Sequence, residues 1–261
     1  MRHPSGSHSH GTGAAGAGGG RDDAAVVLDG VARRYGRRWA LRGVSLRLEP
    51  GEVAALVGHN GSGKTTLLRI LATTLRPTRG SGSVFGLDLV RDAAAVRGVV
   101  GMLGHSPGLY GDLTAGENLV FALRMMGRKA TDAVVADALE QVGLAREADG
   151  LVRTFSAGMQ RRVALARLLL RRPRLALLDE PYASFDADGV ERVNAYLAGL
   201  KAEGFAAVVA THDLPKASAV VDRVWRIDAG VLTEVEVGAA PVGGGRPRDI
   251  VAANVEGRGS G

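Results

Sequence analysis

The 261-residue chain has no cysteine. A disulfide framework and a thiolate metal site are therefore excluded. No apolar run approaches the roughly 18–20 residues that a bilayer-spanning helix needs. Residues 1–20 carry no hydrophobic segment, so no secretory signal is expected there. Lysine is confined to Lys64, Lys129, Lys201 and Lys216, so the net charge of +6 is almost wholly arginine. Much of that arginine lies in short pairs: Arg33-Arg34, Arg37-Arg38, Arg161-Arg162 and Arg171-Arg172. A nucleic-acid surface or an anionic membrane face could draw on such pairs. The reading adopted is solvated faces, since no base-stacking aromatics are read as interleaving the basic pairs. No nucleic-acid partner is expected. Apolar content of 46% and charged content of 23% fit an ordinary globular chain, and these features suit the cytosol.

What is present centres on Gly58-His59-Asn60-Gly61-Ser62-Gly63-Lys64-Thr65-Thr66. It satisfies G-x-x-x-x-G-K-[ST], the pattern of a phosphate-cradling loop. The glycines allow backbone N–H groups to turn inward around an anion. Lys64 can reach β- and γ-phosphates, and the Thr65 hydroxyl can ligate Mg²⁺. Residues 52–57 read as a buried strand before the loop. Residues 64–75 read as a helix after it, stopping before Pro77. A phosphate would then sit at a helix N-terminus, where the dipole favours negative charge.

The remaining segments are read in order. Residues 1–22 are expected to be a disordered tail and 237–261 a flexible one. Val44, Leu46 and Leu48 alternate with polar residues, a strand with one wet face that turns at Pro50-Gly51. Tyr35 is expected on a loop among arginines, where it could stack on a purine. Further strands are read at 83–86 and 99–103. Thr114-Ala115-Gly116-Glu117 is a capping box that opens a helix running to Met126, and 131–142 is a second helix. Phe155-Ser156-Ala157-Gly158-Met159-Gln160 leads into a helix at 161–170. A strand at 174–180 then delivers Asp179 and Glu180 at its C-terminal end, where open α/β sheets bind ligands. Mg²⁺ for Asp179 and a water for Glu180 would partner these acids. A helix at 187–202 follows, and then a strand at 205–210 leading to His212. A last strand is read at 223–227.

Taken together, Tyr35, the 58–65 loop, Ser156-Ala157-Gly158, Asp179-Glu180, Asp186 and His212 resemble the nucleotide-binding subunit of an ABC transporter. The resemblance implies a P-loop NTPase: a RecA-like α/β core, an N-terminal antiparallel β subdomain, and a helical signature subdomain inserted at about 106–157. The nucleotide-binding domain would occupy 23–236. It further implies an ATP hydrolase with ATP and Mg²⁺ as cofactors. Tyr35 and Gly58 through Thr66 would bind ATP. Thr65 and Asp179 would hold the metal, and Glu180 would act as general base with His212 beside the γ-phosphate. The signature segment, Ser156 through Gln160, would engage ATP held by a second copy, and Asp186 would lie in the loop that communicates across that dimer. The subunit would work peripherally, at the cytoplasmic face of the membrane, on a separate integral membrane permease.

Two positions depart from the family pattern. Ala157 stands where a first glycine is usual. His105 occupies the place of a glutamine that touches Mg²⁺ and water. Because Mg²⁺ prefers oxygen ligands, His105 is expected to act through a water or in coupling to the permease. The stretch 103–119, with Gly104-His105 and Pro107-Gly108, is similar to the ATP-binding subunit of the cytochrome c maturation system, a haem exporter. Other ABC exporters (drug, lipid or polysaccharide), an ATP-dependent clamp on RNA or the ribosome, and a soluble scaffold ATPase for cofactor or DNA-repair assembly are the alternatives.

Overall fold

The computed structural model describes residues 24–183 and 185–235. The tails expected at 1–22 and 237–261 lie outside the described residues, as does Ser184. In chain order the elements are β1 (Val26–Tyr35), β2 (Arg38–Leu48), β3 (Val53–Val57), α1 (Lys64–Leu71), β4 (Arg79–Val84), β5 (Leu87–Asp88), α2 (Ala93–Val99) and β6 (Val100–Leu103). Then come α3 (Ala115–Met125), α4 (Asp132–Gln141), α5 (Ala157–Arg171), β7 (Leu175–Asp179), α6 (Ala187–Ala202), β8 (Ala206–Thr211), α7 (Leu214–Ala217), β9 (Arg223–Asp228) and β10 (Val231–Val235).

Two sheets form. One is antiparallel, ordered β2-β1-β4-β5; the other runs β10-β9-β3-β8-β7-β6, parallel except at the β10 edge. The central strands β3, β7 and β8 are short, nearly unbroken apolar runs because both of their faces are covered. In β7, Leu175 and Leu177 face one core, while Ala176 and Leu178 face another. The first core lies between the two sheets around Leu67, Leu68, Ile70 and Leu71 of α1. The second packs α3, α4, α5 and α6 against the opposite face of the parallel sheet. The chain is thus a P-loop α/β fold with an antiparallel β subdomain and a helical insert, as the resemblance implied.

Local signals account for most boundaries. The capping box of α3 is fully made: Thr114 Oγ1 accepts from Glu117 N–H, and Glu117 Oε2 accepts from Thr114 N–H. Several boundaries differ from the sequence reading. The strand read at 83–86 runs instead over Arg79–Val84, because Phe85 and Gly86 both take positive φ and turn the chain. The first helix ends at Leu71 rather than at 75, because Thr73 takes a left-handed conformation (φ 55°) and the N–H groups of Thr74 and Leu75 both fold back to the Arg69 carbonyl. This is the job a C-terminal glycine usually does. The helix expected at 161–170 begins four residues sooner, at Ala157, with Ser156 as its N-cap. Tyr35 closes β1 rather than sitting in a loop. A final hairpin strand, β10, was not anticipated; it is reached through Ala229 and Gly230, both at positive φ.

Candidate nucleotide-binding site

The C-terminal ends of β3, β7 and β8 lie side by side. Each feeds a loop that carries charge or glycine. The loop after β3, residues 58–63, packs too tightly for side chains at two of its glycines. A Cβ on Gly58 would meet the Ser62 hydroxyl at 2.7 Å, and one on Gly63 (φ 123°) would meet the Ala40 carbonyl at 2.6 Å. The loop is also tied to both sheets. Gly230 N–H donates to the Ser62 carbonyl, and Arg42 N–H of β2 donates to the Gly230 carbonyl.

Lys64 opens α1 and is 6% exposed. Its ammonium donates to the Gly58 and His59 carbonyls (2.7 and 3.3 Å) and lies 3.7 Å from Glu180 Oε1. The Thr65 hydroxyl donates to Asp179 Oδ2 (2.8 Å). His212, just past β8, donates from Nδ1 to Glu180 Oε2 at 2.9 Å. Ser62 Oγ and Glu180 Oε1 are buried without a hydrogen-bond partner. A carboxylate oxygen without a hydrogen bond, 3.7 Å from an ammonium, is unusual in a finished core and suits a site built for a polar ligand.

Glu180 is itself held in an unusual backbone state, at φ 51°. For an L-residue this costs roughly 1–2 kcal/mol, and such strain gathers at functional sites. The surrounding contacts fix it. Glu180 N–H donates to the Ala210 carbonyl, and Ala183 N–H donates to the Glu180 carbonyl.

Lys64, Thr65, Asp179, Glu180 and His212 line one cleft of about 650 Å³, together with Tyr35, Arg38, Ala40, His59, Asn60, Gly61, Gly63, Thr66, His105 and Ala183. Tyr35 is 45% exposed, and the Arg33 guanidinium lies over its ring, 4.9 Å from the centroid. His105 is exposed at the rim. His59 bridges the Asn60 carbonyl from Nδ1 and Asp228 Oδ1 from Nε2. These two acceptors raise its pKa above the ordinary histidine value.

The signature segment lies elsewhere. None of Ser156, Ala157, Gly158, Met159 or Gln160 lines this cleft. Ser156 and Ala157 are exposed. Ser156 Oγ accepts from Met159 N–H, whereas the Gln160 amide donates inward to the Val152 and Phe155 carbonyls. Asp186 caps α6 by accepting from Gly189 N–H and from Arg162 Nη2 at 2.7 Å. The Gly189 N–H, then the Arg162 guanidinium, hold its carboxyl below the usual carboxylate range.

Two features escaped the sequence reading. Arg161 is a buried cation whose guanidinium donates to the backbone behind Asp179 and Glu180. Its long-range carbonyl partners leave no local sequence signal. The other is a correction. Aromatics do stand among the first arginine pairs: Arg33 lies over the Tyr35 ring, and Arg34 and Arg79 both lie over Trp39.

Comparison with known proteins settles the family. The ABC transporter family matches residues 41–183. The chain belongs to the ABC transporter ATPase family. It is 38% identical over 210 residues to the daunorubicin resistance ATP-binding protein DrrA3 of Streptomyces coeruleorubidus, covering 80% of this chain and 66% of that one. It is 42% identical over 190 residues to the cytochrome c biogenesis ATP-binding export protein CcmA of Bordetella bronchiseptica, covering 73% and 85%. An iron-import ATP-binding protein shows a comparable 37% identity. The chain thus spans about two thirds of the length of the drug-resistance relative and more of the cytochrome c one. Among solved structures, a dimeric ATP-binding cassette in a post-hydrolysis state, bound to ADP and Pi, superposes with a TM-score of 0.74 at 28% identity, covering 82% of this chain and 99% of that one.

Proposed function

We propose that this chain is the ATP-binding and ATP-hydrolysing subunit of an ABC exporter. It works as a homodimer on a separate integral membrane permease, at the cytoplasmic face of the membrane. The observation that carries the reading is the convergence of Lys64, Thr65, Asp179, Glu180 and His212 on one cleft behind a glycine loop. That set matches the needs of phosphoryl transfer: a backbone cradle and a cation for phosphate, hard oxygens for a metal, and a carboxylate for water.

Roles follow from position. Tyr35 stacks on the adenine, and Gly58 through Thr66 wrap the phosphates. Lys64 turns its ammonium from the Gly58 and His59 carbonyls to the β- and γ-oxygens. Thr65 and Asp179, hard oxygen donors already side by side, are suited to Mg²⁺, which would supply charge neutralisation at the phosphates. Glu180 takes a proton from the attacking water, and His212 holds that carboxylate and reads the γ-phosphate.

The half-site is incomplete without a second copy, because its own signature segment sits outside the cleft. Two chains closing around two ATP molecules would place Ser156 and Gly158 of each on the other's nucleotide. Loss of the γ-phosphate then opens the pair, and this stroke is passed to the permease. His105, at the rim and outside the metal-binding pair, is assigned to that coupling.

The cargo reading is haem export in cytochrome c biogenesis. It rests on the Gly104-His105 and Pro107-Gly108 stretch and on the likeness to the cytochrome c export protein. Drug export is the second reading, favoured by the daunorubicin-resistance relative. Co-purification of the full-length chain from membranes, with identification of the integral membrane subunit, tests the proposal. A permease of cytochrome c assembly supports the first reading and a drug permease the second. Recovery without any integral membrane protein contradicts both.

A further inference from the structure

The start of α5 and the carboxylate of Glu180 are joined by a single buried side chain. Ser156 caps α5 and stands exposed, while Arg161 lies one turn further on at 6% exposure. Among the described residues the Arg161 guanidinium makes no salt bridge. From Nη2 it donates to the backbone carbonyls of Asp179 and Glu180, the latter at 2.6 Å, and from Nη1 to the His105 carbonyl at 3.3 Å. One cation thus touches the signature helix, the end of β7 and the segment after β6. Its Nε is buried without a partner. Burial pulls its pKa down, and only the nearby charges of Asp179 and Glu180 oppose that pull. An apolar residue of similar size would fill this space with less desolvation, so the cation is poorly explained by packing alone.

The carbonyls it grips are the ones that matter for aim. Glu180 is the residue at φ 51°, and its side chain reaches His212 and Lys64 from that strained backbone. A shift of the carbonyl on either side rotates the carboxylate. The adjacent Arg162 takes another direction, donating to Asp186 and to the Val142 carbonyl. Only Arg161, of the two, reaches the backbone of the acid pair.

We propose that Arg161 is a positioning residue that transmits the placement of the signature helix to the aim of Glu180, so that ATP engaged by Ser156 on the partner copy readies the carboxylate for the ATP of its own copy. This deepens the function proposed above and rests on it. Displacing a catalytic group by about 1 Å can cost on the order of 100-fold in rate. The effect should therefore fall on turnover rather than on binding.

The test uses the full-length chain with R161K, R161M, E180Q and the double variant E180Q/R161K. Lysine keeps the charge but cannot fork to three carbonyls. The expected result is a kcat at least about 10-fold lower for R161K. KM and the affinity for a fluorescent ATP analogue stay within about twofold. In the E180Q background R161K adds no further loss, because it acts through the group already removed. A native kcat in R161K overturns the proposal. So does a loss that multiplies independently in the double variant, or one matched by equal loss of analogue binding, for then Arg161 is only a staple of the fold. Should R161M fail to fold, R161K and the double variant still decide. The E180Q chain alone must bind ATP and pair whatever Arg161 does. Its failure to do so would count against the functional reading, not against Arg161.

Discussion

The Thr65 hydroxyl donates to Asp179 Oδ2 at 2.8 Å, joining the first turn of α1 to the end of β7 across 114 residues of sequence. Two hard oxygens meet there beside the glycine loop, and no group of three His, Cys, Asp or Glu side chains forms a metal cage among the described residues. Under the proposed function, a cation at these two oxygens would draw its other ligands from nucleotide and water. Thr65→Ala and Asp179→Asn should each raise the Mg²⁺ concentration for half-maximal ATPase activity by at least about 10-fold. A Mg²⁺ titration of steady-state turnover checks this, and an unchanged midpoint would remove both residues from the metal.

Lys64→Ala should weaken nucleotide binding itself. The ammonium is buried and donates to the Gly58 and His59 carbonyls, within the loop proposed to hold phosphate. Charge-assisted hydrogen bonds contribute roughly 1.5–3 kcal/mol, so the Kd for ATP should rise about 10- to 100-fold. Fluorescent-analogue titration reads this directly. The melting temperature should hold, because Leu67, Leu68, Ile70 and Leu71 still anchor α1.

Gly58→Ala and Gly63→Ala should destabilise the fold as well as the site. The added methyl would press on Ser62 and Ile227 in the first case and on Ala40, Leu41 and Ile227 in the second, with positive φ as a further strain at Gly63. Overpacking of this kind costs about 1–3 kcal/mol. Chemical denaturation should show it without added nucleotide. Gly61→Ala, with open space around it but φ 80°, should cost less.

His59 offers a pH test. Its Asn60 and Asp228 acceptors raise its pKa in the folded chain. The folded state therefore holds that proton more tightly than the unfolded one. The stabilising contribution is complete below the unfolded value near 6.5 and is lost as pH rises through the folded value. An NMR titration of His59 should give a midpoint above 6.5. Asp228→Asn should move it back toward the ordinary value; no movement would show that Asp228 does not hold the ring.

Much of the site was legible because its chemistry is carried by contiguous segments. The 58–66 loop, Asp179-Glu180 and His212 each follow an apolar run that reads as a buried strand, and parallel strands bring their C-terminal ends together. What was not legible depends on backbone geometry or distant contacts. Thr73 ends α1 in a left-handed conformation that sequence normally signals with glycine. The β9–β10 hairpin turns on Ala229 and Gly230 and returns in a five-residue strand, Val231–Val235, with no fully buried side chain to mark a core face. Arg161 read as one more member of an arginine pair, because its partners are carbonyls of residues 105, 179 and 180 and any residue supplies a carbonyl. Trp39 between Arg34 and Arg79 was missed because Arg79 comes from β4, far along the chain.

The most direct measurement takes the Glu180→Gln chain, adds ATP and Mg²⁺, and determines mass by size-exclusion chromatography with light scattering while phosphate release is followed. Retained ATP, negligible phosphate and a stable pair of chains are predicted, with the native chain releasing phosphate and returning to single copies. Native-rate hydrolysis by the Gln variant, or single copies that hold no ATP, would contradict the account.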